Sequence, residues 1–180
     1  MKVTPTALPG VLVIEPRVFS DDRGFFFESW NARALAEAGI DATFVQDNHS
    51  RSRRGVLRGL HYQIRNAQGK LVRAVIGEAF DVVVDLRRSS PTFGCTVGIL
   101  LSADNRKMLW VPPGFAHGFL ALSESVDFLY KTTDYWYPQY ERTILWNDPA
   151  LGLDWPLAGE PILTAKDAAG ALLAQAELYP

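Results

Sequence analysis

Short runs rich in β-branched and aromatic residues, separated by turn residues, dominate the chain. They fall at 11–15, 24–29, 43–46, 56–63, 70–76, 79–85, 96–101, 107–111, 118–122 and 126–132. Turns such as Arg88-Ser89-Ser90-Pro91 and Pro112-Pro113-Gly114 set their spacing. Parallel strands need crossovers of a dozen residues or more. Most gaps here are shorter, so the pattern predicts an all-β sandwich or barrel. One helix is predicted over 32–38, capped by Asn31 and ended by Gly39, and a second short one over 165–176. The stretch 135–160, rich in Pro, Trp, Tyr and Asp, reads as an ordered loop region wrapped on the sheets.

A length of 180 residues fits one domain over 1–180, which buries roughly 70% of its unfolded-chain surface. With 48% hydrophobic and 21% charged residues the chain is not intrinsically disordered. Its 18 basic and 20 acidic residues give a net charge of −2. That balance excludes a broad basic field, so no nucleic-acid partner is expected, and Arg51-Ser52-Arg53-Arg54 reads as a solvated turn. A single cysteine, Cys95, leaves no intramolecular disulfide or multi-cysteine zinc site. Pro5 and Pro9 interrupt the N-terminus before a signal-peptide run develops, and no apolar stretch approaches the ~20 residues that cross a bilayer. The expectation is a cytoplasmic protein with no membrane partner.

Only three histidines are present, His49, His61 and His117. In Arg58-Gly59-Leu60-His61-Tyr62-Gln63, a regular strand puts His61 and Gln63 on one face and Arg58 on the other; a bulge at Gly59 would bring Arg58 round. A lone strand histidine is more often structural than catalytic, but a second polar constellation follows. Pro112-Pro113-Gly114-Phe115-Ala116-His117 has the P-x-G-x-x-H form, in which a tight turn delivers a histidine to the next strand. That form resembles the second motif of the cupin barrels. Metal-binding cupins also carry H-x-H and a nearby Glu; here the matching position reads His61-Tyr62-Gln63, with no Glu before Glu78. Two histidines without a carboxylate make a poor transition-metal site, so no metal is expected. On pattern alone Tyr130 is a core-edge tyrosine, Lys70 a strand-start lysine and Asp167 a loop or cap residue.

Taken in order, these segments resemble the dTDP-4-dehydrorhamnose 3,5-epimerases, metal-independent cupins, from about residue 9 to the C-terminus. The carrying motifs are Asp22-Arg23-Gly24-Phe25-Phe26-Phe27-Glu28, Gln46-Asp47-Asn48-His49-Ser50, Val56-Leu57-Arg58-Gly59-Leu60-His61-Tyr62-Gln63, Gly114-Phe115-Ala116-His117-Gly118-Phe119, Phe128-Leu129-Tyr130-Lys131, Ile144-Leu145-Trp146-Asn147-Asp148-Pro149 and Lys166-Asp167. The resemblance implies a cupin-like jelly roll with a few short helices and no cofactor. It implies catalytic roles for four residues: His61 as base, Asp167 as its imidazole partner, Tyr130 as acid from the opposite face, and Lys70 beside the enolate oxygen. It implies that Arg23, Glu28, Gln46, Asp47, Asn48, Arg58, Lys70, His117, Glu141 and Lys166 surround the dTDP-sugar. It also implies a homodimer that exchanges an N-terminal strand, so some of these groups come from the partner. The role of Tyr135-Trp136-Tyr137 stays open, and His49 is assigned a structural place.

The reaction so implied is epimerisation at C3 and C5 of dTDP-4-dehydro-6-deoxy-D-glucose, in dTDP-L-rhamnose biosynthesis. The alternatives are a related epimerase acting at one carbon, a metal-dependent cupin oxygenase and a non-catalytic nucleotide-sugar binder.

Overall fold

A computed structural model describes residues 1–180, and its thirteen strands form two large antiparallel sheets and one hairpin. In chain order the elements are β1 (Lys2–Pro5), β2 (Leu12–Glu15), β3 (Phe19–Asp21), β4 (Gly24–Phe26), α1 (Ala32–Glu37), β5 (Gln46–Arg53), β6 (Leu57–Gln63) and β7 (Lys70–Ile76). They continue with β8 (Glu78–Asp85), β9 (Thr96–Ser102), β10 (Met108–Val111), β11 (Phe115–Ala121), β12 (Ser125–Thr132), β13 (Glu141–Thr143) and α2 (Ala165–Ala168). The six-stranded sheet runs β1-β2-β10-β7-β12-β5, the five-stranded sheet β13-β6-β11-β8-β9, and β3-β4 stand apart as a hairpin.

Side-chain parity sorts the apolar residues into three layers. Between the sheets lie Val72, Ala74, Val83, Phe115, Phe119, Val126 and Phe128, with Phe119 stacked on Phe128 at 4.2 Å between centroids. The outer face of the five-stranded sheet (Leu57, Leu60, Val82, Val84, Leu120) is covered by the C-terminal third of the chain through Ile144, Leu151 and Trp155. On the other side α1 lays Leu35 against Ile14, Leu71 and Met108. Strand β11 is buried on both faces, which is why its residues other than His117 are apolar or glycine rather than alternating with polar ones. No helix is long and apolar enough to cross a membrane.

The sequence-predicted strands over 70–76 and 126–132 are found almost residue for residue, and Asn31 caps α1 by accepting from Ala34 N at 3.1 Å. Three expectations need correction. The strand placed at 43–46 instead begins at Gln46 and runs to Arg53, absorbing most of the supposed Arg51–Arg54 turn. Both faces of β5 are polar, so it lacks the apolar alternation used to find strands. The helix over 165–176 stops at Ala168, because the chain must straighten for Ala171 to bridge Ile144. A Cβ at Gly170 would come within 2.7 Å of Leu145 N. The region 135–160 is ordered as expected, but it also contains β13, which pairs with the end of β6.

The sheet depends on one very close strand approach. A Cβ on Gly118 of β11 would sit 2.6 Å from Arg58 O and 2.9 Å from Gly59 Cα of β6. Both neighbours are backbone and cannot rotate away. Gly118→Ala is therefore expected to lower stability by about 1–3 kcal/mol, read as a lower urea midpoint at unchanged slope.

Candidate active site

The bulge foreseen at Gly59 is present and determines which side chains meet. Opposite β6, His117 pairs with His61 and Phe119 with Arg58, so three steps along β6 match two along β11. The extra residue restores Arg58 to the same inner face as His61. Gly59 supplies the conformation the bulge needs, with φ of +137°.

His61 opens into the space between the sheets with its side chain 24% exposed, and its Nε2 lies 2.5 Å from Asp167 Oδ1. Asp167 is itself 1% exposed. Its place is set by a short capping arrangement: Thr164, the N-cap of α2, accepts from Asp167 N at 3.2 Å and donates its hydroxyl to Asp167 Oδ2 at 2.9 Å. With Nε2–H tied to the carboxylate, Nδ1 carries the free lone pair and is the basic atom. Burial pushes the His61 imidazole below its usual range, partly opposed by the Asp167 hydrogen bond and charge. Burial pushes the Asp167 carboxyl up, but its bonds from His61 and Thr164 outweigh that and leave it lowered.

The facing wall comes from the six-stranded sheet. Tyr130 stands on the inner face of β12, level with Asn48 of β5 and Val72 of β7. Burial, then the charge of Glu141, raises its phenol, so it is protonated at neutral pH. Lys70, the first residue of β7, reaches His61 O at 3.4 Å. Burial pulls its ammonium down to about 8, against the nearby Glu141 and Asp81 carboxylates. A base with a held tautomer on one wall thus faces an acid and a cation on the other. That geometry can remove a proton from one side of a bound carbon and return one to its other side.

Polar groups rim this space. Arg58 Nε donates to Ser52 Oγ at 3.0 Å and Nη2 to Arg51 O at 3.3 Å, leaving the rest of its guanidinium open. Lys166 and Glu141 form an ion pair of 3.0 Å at the edge where β13 meets α2. Gln46 and Asn48 share the inner parity of β5 and bond to each other at 2.9 Å. Trp136 N donates to Gln46 Oε1 at 3.1 Å, which brings the Tyr135–Trp136 backbone up to that pair, and both side chains are exposed. Gln63, the expected face partner of His61, spends its amide on Asn66 O, Tyr135 O and Tyr137 N and so holds the loop.

Three of the sequence-predicted residues lie elsewhere. Asp47 has the opposite parity on β5 and pairs with Lys131 at 2.9 Å on the outer face, where His49 and Arg51 both bind Asp127. Only the backbone of Asp47 can reach the inner space. Arg23 and Glu28 belong to the β3–β4 hairpin and its exit: Arg23 pairs with Asp21, and Glu28 accepts from Asn31. The hairpin's Phe27 lies near Arg73, on the outer face of β7, so neither residue joins His61 within one chain.

One residue of the site was not foreseen from sequence. Asp81, on β8, receives His117 Nε2 at 2.8 Å and is completely buried. The available signal was a carboxylate among the apolar residues at the middle of β8, Ala79-Phe80-Asp81-Val82-Val83-Val84.

The family model described as dTDP-4-dehydrorhamnose 3,5-epimerase matches residues 5–175. The chain is 64% identical to a Pseudomonas aeruginosa protein named dTDP-4-dehydrorhamnose 3,5-epimerase, covering 100% of both chains. It is 59% identical to the Salmonella typhimurium protein of the same name, covering 99% of this chain and 98% of that one. Among solved structures it is similar to a Legionella pneumophila dTDP-6-deoxy-D-glucose-3,5-epimerase in complex with dTDP-4-keto-L-rhamnose. That likeness has a TM-score of 0.96 and 50% identity over 98% of this chain and 94% of that one. It bears out the expected cupin-like jelly roll, here with sheets that do not close into a barrel.

Proposed function

The chain belongs to the dTDP-4-dehydrorhamnose 3,5-epimerase family, and on that premise we propose how its own residues perform the reaction. The substrate is dTDP-4-dehydro-6-deoxy-D-glucose. Inversion at C3 and C5 gives dTDP-4-dehydro-L-rhamnose, the epimerisation of dTDP-L-rhamnose biosynthesis. The observation that carries this reading is the His61–Asp167 pair on one wall facing Tyr130 and Lys70 on the other.

A hydrogen α to the 4-keto group is acidic because the electron pair left on carbon delocalises onto the carbonyl oxygen. His61 Nδ1 takes that proton and becomes part of an imidazolium, which the Asp167 carboxylate stabilises. The C–H electron pair becomes the enolate C=C bond, and negative charge gathers on the C4 oxygen. The Lys70 ammonium stands beside that oxygen and lowers the barrier to its charge. Tyr130 then gives its hydroxyl proton to the opposite face of the carbon, and the electrons return to the C=O bond. Solvent restores the phenol and takes the proton from His61. The same cycle runs at the second carbon.

Arg58 and Lys166 bind the diphosphate, arginine through its planar fork and lysine as a point charge. Glu141 holds Lys166 in place. Gln46 and Asn48 offer amide groups to the thymine edge, with the Asp47 backbone between them. His117 hydrogen-bonds the sugar. Arg23 and Glu28 serve the site of a partner chain in a homodimer. In support, their hairpin exposes Phe19, Phe25 and Phe26 at 51%, 58% and 67%, an apolar cluster suited to an interface.

The test is conversion of dTDP-4-dehydro-6-deoxy-D-glucose by purified protein, followed by NMR of the sugar. Inversion at both C3 and C5 is expected. A product inverted at one carbon only would move the chain to the mono-epimerase alternative, and no conversion would reject the reading.

A further inference from the structure

We propose that Asp81 is a positioning residue of this site: its buried carboxylate fixes the His117 ring and supplies the counter-charge to the Lys70 ammonium. The kinetic consequence rests on the epimerase reading, while the effect on Lys70 does not.

Asp81 is 0% exposed in the central layer of the sandwich, where an isolated carboxylate is strongly disfavoured. Yet one of its oxygens, Oδ1, has no hydrogen-bond partner, and only Oδ2 is used, by His117 Nε2 at 2.8 Å. A prop for one ring does not require a charge; a neutral amide oxygen would accept that bond equally well. A buried acceptor left open needs a further reason. The Lys70 ammonium supplies one: it does not touch Asp81, but the charges act on each other across the buried space, and Lys70 has three N–H donors and a single long contact, to His61 O at 3.4 Å.

The charged and titratable groups around this pair come from every packed element. They are His117 on β11, His61 and Arg58 on β6, Tyr130 on β12, Glu141 on β13, and Lys166 with Asp167 on α2. Among them Glu141 and then Asp81 are the anions that act on Lys70, and Lys166 opposes them. Glu141 is already engaged by Lys166 at 3.0 Å, whereas the Asp81 Oδ1 is free. Burial pushes the Asp81 carboxyl up, with His117 and Lys70 pulling it back. The carboxylate has a second effect, on the ring. With Nε2–H held by Asp81, His117 presents Nδ1 to the cavity as an acceptor, suited to a sugar hydroxyl rather than to the keto oxygen.

Lys70 helps only as a cation, which exists below its pKa of about 8. Removing a neighbouring negative charge lowers that pKa, so the cation is lost at lower pH.

Asp81→Asn keeps the shape of the side chain and an acceptor for His117. In lysine-labelled protein, 13Cε NMR reads the Lys70 titration directly, its resonance assigned by its loss in Lys70→Gln. The Asp81→Asn midpoint is expected about half a pH unit or more below wild type, roughly a threefold weaker proton affinity. The alkaline limb of kcat/KM is expected to move down with it. His117→Gln removes the ring but leaves the carboxylate, so there the midpoint does not fall. An unchanged Lys70 midpoint in folded Asp81→Asn, or a fall of equal size in His117→Gln, would overturn the proposal. Because the titration needs no substrate, it stands even if the sugar proves to be a different one.

Discussion

His61→Asn is expected to lower kcat by about 10³–10⁴, the upper range for loss of a positioned general base. Affinity for dTDP, measured by calorimetry, should change little, because Arg58, Lys166, Gln46 and Asn48 are carried on other contacts. No other histidine can substitute. His117 has its Nε2 bound to Asp81, and His49 lies on the outer face against Asp127. The wild-type enzyme should also show an acid limb assignable to His61. Burial holds its pKa below the ordinary 6.5 despite the pull of Asp167. The base works only when neutral, so activity is lost as pH falls through that lowered value. The limb therefore lies below pH 6.5. In His61→Asn this limb disappears along with the rate.

Tyr130→Phe is the second large effect, with inversion slowed by about 10²–10³. The substitution removes one oxygen and keeps the ring that packs against the central core cluster, so the fold is preserved. Only the proton donor on the β12 wall is lost. His61 and Lys70 remain, so the enolate still forms. Without an acid on the far face, the carbon regains its proton chiefly from His61, on the face it left. The variant is thus expected to bind substrate normally and to turn over carbon–hydrogen bonds without inverting them. Both effects are read by the same kinetic assay, with urea denaturation confirming an unchanged fold.

Apolar alternation made most of the sandwich legible, since strands such as β7 and β12 bury one face against Phe119 and its neighbours. It failed where the inner face is polar. Strand β5 carries Gln46, Asn48, Ser50 and Ser52 inward and His49 and Arg51 outward. Neither face has the apolar signature, because this strand lines a space meant for a polar ligand. The helix at 165–176 was overextended for a different reason: Ala-rich propensity favours continuing, while the backbone contact at Gly170 forbids it. Within the site, His61, Tyr130, Lys70 and Asp167 are named from motif resemblance; the fold joins His61 to Asp167 and to Lys70, and sets Tyr130 on the inner face of β12. The union of His61 with Asp167, 106 residues apart, is a tertiary fact that no local pattern encodes. Parity separated Asp47 from Gln46 and Asn48, a distinction that becomes readable once the strand is extended to Arg53. The Asp81–His117 pair has no sequence signature, because an aspartate between apolar strand residues has no motif, only an unfavourable burial to be explained.

The central claim is that one wall removes the proton and the other returns it. The most direct measurement is deuterium incorporation from D2O into the sugar by Tyr130→Phe, read by NMR at C3 and C5. Deuterium is expected to enter recovered substrate with configuration retained, while wild type gives deuterated, inverted product. Inverted product formed by Tyr130→Phe at the wild-type rate, or no exchange in a variant that still binds dTDP, would contradict it.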